Sequence, residues 1–375
     1  MNKVKVIIDS PVKNSSLYYS SGFYCLDPFV LIDNGKEKIG FLPSTELEKA
    51  KANSNLTKVF NMTEEFQKIG KDKKYPALKS SLVINYLYSK NINEIYVPES
   101  FPLREADNLR RYNIDVIPIE EPFYKSRVSK SDEELQFIRE NSIKNSQVMQ
   151  EVYEILAEST ITYNKKLKYN DEILTSEFIQ NFILKSFLNK GMSAEYVIVA
   201  CGDQGCFPHE YGSGELYANT SIIVDIFPRN RSNLYFTDMT RTFCKGKASD
   251  DLKLIYNTVL EAQKLGLKKV HAREVGKTIH KSIQDYFESK GFKTGIIDGV
   301  LQGFFHGTGH GVGLDCHELP YISNNGGELD EKSVVTVEPG LYYLGKGAVR
   351  IEDIVVVQKD GIENLTDFHK TLEVE

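Results

Sequence analysis

The sequence predicts an α+β protein with two domains. Its 375 residues exceed the roughly 100–200 residues of a typical single domain. Short β-like runs alternate with helical segments in the first part of the chain, whereas longer helices and strands are interleaved over the rest. The acidic, proline-containing break Glu120-Glu121-Pro122 separates the two patterns. We therefore predict a smaller α/β domain over residues 1–122 and a larger α+β domain over residues 126–375.

Turn residues and apolar patterning predict the elements of the first domain. Asn34-Gly35 lies between the β-like runs Phe29–Asp33 and Lys38–Leu42, and this is the strongest short hairpin signal a sequence can carry. The elements predicted after this hairpin are a helix at 80–87, a strand at 95–97, a helix at 105–111 and a strand at 114–119.

The larger domain opens on a helix signal. Ser131 and Glu134 form the S-x-x-E capping pattern, which predicts a helix from there to about Ala157. Further helices are predicted at 171–189, 249–270 and 274–289. Strands are predicted at 196–200, 222–227, 234–243, 334–337 and 349–357.

Composition and charge argue against several classes of protein. The formal net charge of −6 argues against nucleic acid as a partner. No apolar run approaches the roughly 18 residues of a spanning helix, and the N-terminus lacks a signal-peptide core. The five cysteines include no C-x-x-C pair, which disfavours a zinc ribbon or a disulfide framework. We therefore expect a cytoplasmic protein with neither a membrane nor a nucleic-acid partner.

Four carboxylates interrupt apolar β-like runs of the larger domain. They are Asp225, Asp238, Glu338 and Glu352. A buried, unpaired carboxylate is unfavourable, so each would need a cation or hydrogen-bond donors. Taken alone, each also fits a charge at a solvent-facing strand position, and Asp238 fits an ion pair with Arg241.

His310 lies in the glycine-rich segment HGTGHGVGL, where the backbone can approach a neighbour closely. Such a loop could cradle phosphate, but no Lys-Ser or Lys-Thr pair follows, which favours a metal ligand. One imidazole and four carboxylates suit manganese, cobalt, iron(II) or zinc. Because four negative charges balance two divalent ions, we predict a two-metal site that lowers the pKa of a shared water.

Five strings in this order resemble the pita-bread metallopeptidase family, which includes methionine aminopeptidase, aminopeptidase P and prolidase. The strings are VDIFP, TDMTRTF, HGTGHGVGL with HELP, TVEPGLY and RIEDIVVV. The resemblance covers roughly residues 126–375, and its details look more like the Xaa-Pro branch, prolidase and aminopeptidase P. It implies a pita-bread catalytic domain preceded by a smaller α/β domain of the creatinase/prolidase N-terminal type.

The resemblance implies a role for each matching residue. Asp225 would chelate one metal ion, and Asp238 and Glu352 would bridge both ions. His310 and Glu338 would complete the shell of the second ion. Glu338 would also accept the proton of the attacking water and pass it to the leaving nitrogen.

Further residues match positions around the metal ligands. His209 and His317 would steady the substrate carbonyl and the tetrahedral oxyanion. Arg350 would hold the substrate or a bridging acid, and His306 would lie beside the substrate pocket. Tyr321 replaces an arginine with which many dipeptidases of the family grip a free carboxylate, so a longer substrate is more plausible. The remaining histidines, expected to be solvated, are His271, His280 and His369.

The implied function is that of an exopeptidase with two divalent ions, with manganese expected and cobalt, zinc or iron(II) as alternatives. A metal-bridging hydroxide would cleave the Xaa-Pro bond of a small peptide with proline at its second position. The enzyme would be an Xaa-Pro aminopeptidase or an Xaa-Pro dipeptidase (prolidase), and a homodimer. A catalytically silent peptide-binding module and a creatinase-like amidinohydrolase are the alternatives, and the complete ligand set disfavours both.

Overall fold

The computed structural model describes residues 3–70 and 76–375. The chain divides into two compact units, Met1–Arg127 and Val128–Glu375. Each unit has a hydrophobic core of its own.

Helices and strands occur in both units. The helices are α1 Ser15–Ser21, α2 Leu47–Asn53, α3 Met62–Gly70, α4 Lys79–Ser89, α5 Leu103–Arg111, α6 Asp132–Glu158, α7 Ser176–Asn189, α8 Asp250–Lys269 and α9 Gly276–Ser289. The strands of the first unit are β1 Lys5–Asp9, β2 Phe29–Asp33, β3 Lys38–Leu42, β4 Lys58–Asn61, β5 Glu94–Pro98 and β6 Asp115–Ile119.

The strands of the second unit are shorter on average. They are β7 Thr160–Ile161, β8 Leu167–Tyr169, β9 Glu172–Ile173, β10 Met192–Ser193, β11 Ile198–Cys201, β12 Ile222–Ile226, β13 Arg229–Asn230, β14 Met239–Lys245, β15 Gly295–Ile297, β16 Val300–Gln302, β17 Gly309–Gly311, β18 Glu318–Ile322, β19 Val334–Val337, β20 Gly340–Tyr343, β21 Gly347–Arg350, β22 Asp353–Gln358, β23 Gly361–Asn364 and β24 Glu373–Val374.

The first unit is built on a mixed sheet with the strand order β4-β3-β2-β1-β5-β6. Strand β1 is buried on both faces, so it is a continuous apolar run: Val6 and Ile8 join one core, and Ile7 joins another. The predicted hairpin of β2 and β3 is confirmed. The Asn34 side chain accepts the backbone N–H groups of Lys36 and Glu37 in its loop.

Two largely antiparallel sheets form the framework of the second unit. Their strand orders are β11-β12-β14-β24 and β18-β17-β19-β22-β23. Helices α6 and α7 pack against the first sheet in one core, and α8 and α9 contribute to the cores beside the second. Every residue of β12 and β19 is buried, so an acid in or next to either strand is held away from water.

The predicted start of α6 is confirmed. The Ser131 hydroxyl accepts the backbone N–H of Glu134 at 3.2 Å, and the Glu134 carboxylate accepts the backbone N–H of Ser131 at 2.6 Å. This reciprocal pair satisfies two donors at the start of the helix. Val148, Met149 and Val152 on the same helix are fully buried against the first sheet.

Three predicted elements are wrong in part. Residues 171–175 precede α7, because the Thr175 side chain caps the helix by accepting the N–H of Phe178. Leu234 has φ of +65°, a left-handed conformation that excludes it from the predicted strand, which begins only at Met239. The run 349–357 is two strands, because the N–H of Glu352 donates to Thr240 in the other sheet.

The helices and the cysteines of the structure can be compared with the expectations about membrane spans and disulfide bonds. Across residues 3–70 and 76–375, no helix has the length and apolar character needed to cross a membrane. All five cysteines are free thiols.

Candidate metal centre

A cavity of about 520 Å³ lies in the second unit. Its wall brings together all ten side chains proposed for the site from the sequence. They are His209, Asp225, Asp238, His306, His310, His317, Tyr321, Glu338, Arg350 and Glu352.

The two aspartates come from adjacent strands of the first sheet. Asp225 lies in β12 opposite Thr240 of β14, and Asp238 immediately precedes β14. The two acids are therefore offset by two residues rather than directly opposite. Asp225 is 9% exposed; Arg350 Nη2 donates to its Oδ2 at 2.7 Å, whereas its buried Oδ1 has no hydrogen-bond partner.

The two glutamates come from the second sheet and do face one another. Val337 of β19 pairs with Asp353 of β22, so the next step of the register sets Glu338 opposite Glu352. A threonine hydroxyl donates to each carboxylate: Thr336 to Glu338 Oε1 at 3.2 Å and Thr240 to Glu352 Oε2 at 2.7 Å. These bonds fix the two carboxylates at the cavity wall.

Glycines position His310. A side chain on Gly309 would place Cβ 1.9 Å from the carbonyl oxygen of Thr336, and one on Gly311 would place it 2.4 Å from that of Leu319. Only glycine lets β17 pass between its two neighbours. His310 Nδ1 lies 3.1 Å from the carbonyl oxygen of Gly311. Because a carbonyl can only accept, Nδ1 carries the hydrogen and the lone pair is on Nε2.

The ligand atoms converge. Nε2 of His310 lies 3.4 Å from Oε1 of Glu338 and 3.8 Å from Oδ2 of Asp238. Ligand atoms of Asp238, His310 and Glu352 all lie within 4.8 Å of one another. Oxygen donors with one neutral imidazole are the ligands that divalent manganese, cobalt, iron and zinc accept.

The electrostatics of the cluster indicate that its buried carboxylates need positive charge. Burial and the neighbouring carboxylates raise the pKa of Asp238 and that of Glu352 well above their usual range. Burial raises the pKa of Glu338 to about 7, with Arg350 opposing the shift and Asp225 adding to it. Burial lowers the pKa of His310 to about 3, which keeps its imidazole neutral. The carboxylates repel one another, and the Oδ1 of Asp225 lacks a donor, so the residues fit bound cations.

Arg350 is buried at 3% exposure and contacts Asp225, Tyr342 and Thr240. It also lines the cavity, and its expected role of holding substrate or a bridging acid stays a prediction. Its charge is needed to balance the carboxylate that it touches. The guanidinium therefore faces an acid predicted to chelate a single ion.

Tyr342 was missed in the sequence analysis. Its hydroxyl accepts from Arg350 Nη1 at 3.1 Å and lies 2.8 Å from Nε2 of His306. Nδ1 of His306 lies 2.7 Å from the carbonyl oxygen of Gly307, so Nε2 is the acceptor for the Tyr342 hydroxyl. A buried tyrosine four residues after Glu338 was the available signal, because a buried phenol needs a partner.

One alternative and one expectation raised from the sequence are wrong. Asp238 does not pair with Arg241, which instead binds Asp353 at 2.9 Å in a buried ion pair. His280 is not solvated: it is 2% exposed, and its Nδ1 lies 2.9 Å from Oγ1 of Thr308. The Thr308 carbonyl in turn accepts the backbone N–H of Glu338, so His280 supports the site from behind.

The remaining candidates are more accessible. His209, His317 and Tyr321 are exposed at the cavity. The rings of His310 and His317 are 3.8 Å apart between centroids. Although the residue as a whole is exposed, partial burial of the ring lowers the pKa of His317. A neutral imidazole retains one N–H donor, which could bind a developing negative charge.

The fold and this ligand cluster together define a candidate metallohydrolase centre. The sequence model of metallopeptidase family M24 matches residues 136–359, and the chain belongs to that family.

Relatives and solved structures extend the comparison. The chain is 27% identical over 369 residues to the Xaa-Pro dipeptidase of Pyrococcus horikoshii, covering 96% of this chain and 92% of the relative. It superposes on the X-Pro aminopeptidase from Thermotoga maritima with a TM-score of 0.80 and 23% identity, covering 100% and 97% of the two chains. The Xaa-Pro dipeptidase from Bacillus anthracis gives 0.81 and 23%, covering 99% and 95%. These similarities confirm the predicted fold class.

Proposed function

We propose that the protein is an exopeptidase that depends on two divalent ions and removes the residue preceding proline at a peptide N-terminus. The convergence of four carboxylates and one imidazole on one cavity carries the proposal. The substrate class is supported by the names of the similar proteins. The Pyrococcus horikoshii relative and the two structural neighbours are named Xaa-Pro dipeptidase or X-Pro aminopeptidase.

Five side chains would hold the ions. Asp225 would bind one ion, Asp238 and Glu352 would lie between the two, and His310 and Glu338 would bind the other. The unpartnered Oδ1 of Asp225 supports this assignment, since a cation would satisfy it. When bound, the ions polarise the scissile carbonyl and lower the pKa of a nearby water. Manganese is the proposed metal, and a homodimer and a cytoplasmic location stay predictions.

Protein groups would manage the proton and the oxyanion. Glu338 would receive the proton of the attacking water and deliver it to the proline nitrogen as the amide bond breaks. The Thr336 hydroxyl donates to Oε1 of Glu338, which leaves Oε2 for the proton. His209 and His317 would donate hydrogen bonds to the substrate carbonyl as negative charge develops on its oxygen.

The cavity suits a peptide longer than two residues. Among the described residues that line it, Arg350 is the only lysine or arginine, and its guanidinium already pairs with Asp225. A dipeptide would leave its free carboxylate without a bidentate cation. Tyr321, at the cavity wall, offers a phenol instead. We therefore favour aminopeptidase over dipeptidase activity.

Two substrates and a metal-stripped enzyme test the proposal. The protein would be treated with chelator and incubated with Ala-Pro or with Ala-Pro-Ala, before and after manganese is restored. Released alanine would be measured in each case. We expect manganese-dependent cleavage of both bonds, with the tripeptide favoured. Ala-Ala-Ala is the substrate control and should be a poor substrate. Cleavage of Ala-Pro alone would refute the aminopeptidase preference, and cleavage of neither proline peptide would refute the function.

A further inference from the structure

The loop between β17 and β18 carries His317 at the cavity. Gly311 of β17 pairs with Glu318 of β18, so residues 312–317 connect the two strands. The imidazole of His317 packs against that of His310. Within the part of the chain that the structure describes, neither ring nitrogen of His317 has a hydrogen-bond partner. The orientation of this ring therefore depends on the conformation of the loop that carries it.

The side chain of Glu318 folds back into this loop. Its Oε2 accepts the backbone N–H of Asp315 at 3.3 Å, which closes the turn just before His317. A Cβ on Gly313 would lie 2.4 Å from Oε1 of Glu318, so the carboxylate packs directly against the backbone at that glycine. The Glu318 side chain is 10% exposed. A carboxylate so far from water needs a cation or hydrogen-bond donors.

Lys130 supplies a cation from the start of α6. Its Nζ donates to Oε1 of Glu318 at 2.6 Å, and its side chain is 1% exposed. Lys130 directly precedes Ser131, the N-cap of α6, and its backbone N–H donates to the carbonyl oxygen of Lys332 at 3.0 Å. The ammonium is therefore held by a long helix and by the segment that leads into β19. A charge-assisted hydrogen bond of this kind is strong and keeps the carboxylate in place.

We propose that Lys130 and Glu318 are positioning residues that hold His317 in the orientation needed to donate to the oxyanion. This inference rests on the proposed function. Neither Lys130 nor Glu318 lines the cavity, so the pair acts through the loop and not on the substrate. Because no hydrogen bond fixes the imidazole itself, a shift of the turn would move its N–H away from the oxyanion. A displacement of about 1 Å can lower a rate by about 100-fold.

Loss of the ammonium should reduce turnover without loss of metal. Lys130→Met keeps a long side chain but removes the charge-assisted bond to Glu318. We expect kcat and kcat/KM for Ala-Pro-Ala to fall together by about 10- to 100-fold, because the contact with the oxyanion exists only in the transition state. Bound manganese per chain should stay at the wild-type value. Lys190→Met, at a partly exposed ion pair with Glu151 of the same helix α6, is the matched control and should turn over as wild type.

A double-mutant cycle with His317→Ala separates positioning from general damage to the protein. If Lys130 acts through His317, adding Lys130→Met to His317→Ala should leave kcat unchanged. Damage to the fold would instead lower kcat by the same factor in both backgrounds. Glu318→Gln allows the same cycle if Lys130→Met folds poorly, because its amide oxygen can still accept the Asp315 N–H while the charge is lost. Its effect on kcat should likewise vanish once His317 is absent.

The outcomes separate the two proposals. A wild-type kcat in Lys130→Met or in His317→Ala, or an equal loss with and without His317, would overturn the positioning role and leave the proposed function standing. Wild type that cleaves no proline peptide with manganese present would overturn the proposed function, and the positioning role with it.

Discussion

Arg350 and Asp225 form a buried pair in which only one carboxylate oxygen is used. Nη2 of Arg350 lies 2.7 Å from Oδ2 of Asp225, while the buried Oδ1 has no partner. The arginine orients the carboxylate, and a bound cation would provide the missing partner for Oδ1. The strands bring together residues 125 positions apart in the chain.

Replacing this arginine should impair the metal site. Arg350→Lys keeps the charge but cannot contact Asp225, Tyr342 and Thr240 together. We expect manganese affinity or kcat/KM to fall by about 10- to 100-fold, as for other residues that orient ligands. Titration calorimetry would measure the manganese affinity, and peptide assays would measure kcat/KM. Arg139→Lys, at a partly exposed pair with Glu363, is the control, and an equal loss there would refute the specific role.

A methyl group beside His310 should distort its strand. Gly309→Ala would place Cβ 1.9 Å from the carbonyl oxygen of Thr336, a backbone atom that cannot move aside cheaply. Overpacking of this kind costs about 1–3 kcal/mol of unfolding free energy, and we expect weaker manganese binding as well. Gly327→Ala is the control, since its Cβ would have no neighbour within 4 Å. Denaturant unfolding that shows equal stability for both variants would contradict this account.

The acid cluster should make the metal-free protein sensitive to pH. Burial raises the pKa of Glu338 to about 7. A raised folded-state pKa contributes stability below the unfolded value, and that stability is lost as the pH rises through about 7. The melting temperature of Glu338→Gln minus that of wild type, both without metal, should therefore increase from about pH 5 to about pH 8. A constant difference would contradict the raised pKa; exposed Glu331→Gln is the control.

His280 should matter for stability although it does not line the cavity that holds the proposed metal ligands. His280→Phe removes the partner of the buried Thr308 hydroxyl, which costs about 1–3 kcal/mol of unfolding free energy. Because Thr308 accepts the N–H of Glu338, the rate should also fall modestly. His271→Phe, at a half-buried position, should leave both quantities near wild type. Equal unfolding midpoints for the two variants would show that the buried bond contributes nothing.

Much of the site could be predicted because its acids break apolar strands. Asp225 interrupts a run whose other residues are all apolar, and Glu338 ends another, so the pattern alone indicates that each needs a cation or hydrogen-bond donors. The glycines around His310 likewise signalled a close backbone approach, and the neighbouring carbonyls of Thr336 and Leu319 account for it. Order and periodicity along the chain carry this kind of information.

Long-range partners could not be predicted, because they depend on strand register. Arg241 has an acid three residues earlier, yet the register delivers it to Asp353. Glu352 was expected within a strand, but the chain breaks there so that its N–H reaches Thr240. His280 lies on a helix of mixed polarity, and only the packing of that helix against β18 makes it a buried support.

Manganese stoichiometry measured together with activity tests the central claim most directly. Protein stripped by chelator would be titrated with manganese while bound metal and Ala-Pro-Ala cleavage are followed in the same samples, for wild type and for Glu338→Ala. The account predicts two ions per wild-type chain, cleavage that requires them, and a loss of at least about 100-fold in Glu338→Ala. A stripped chain that binds no divalent ion, or that cleaves the peptide equally well without one, would contradict it.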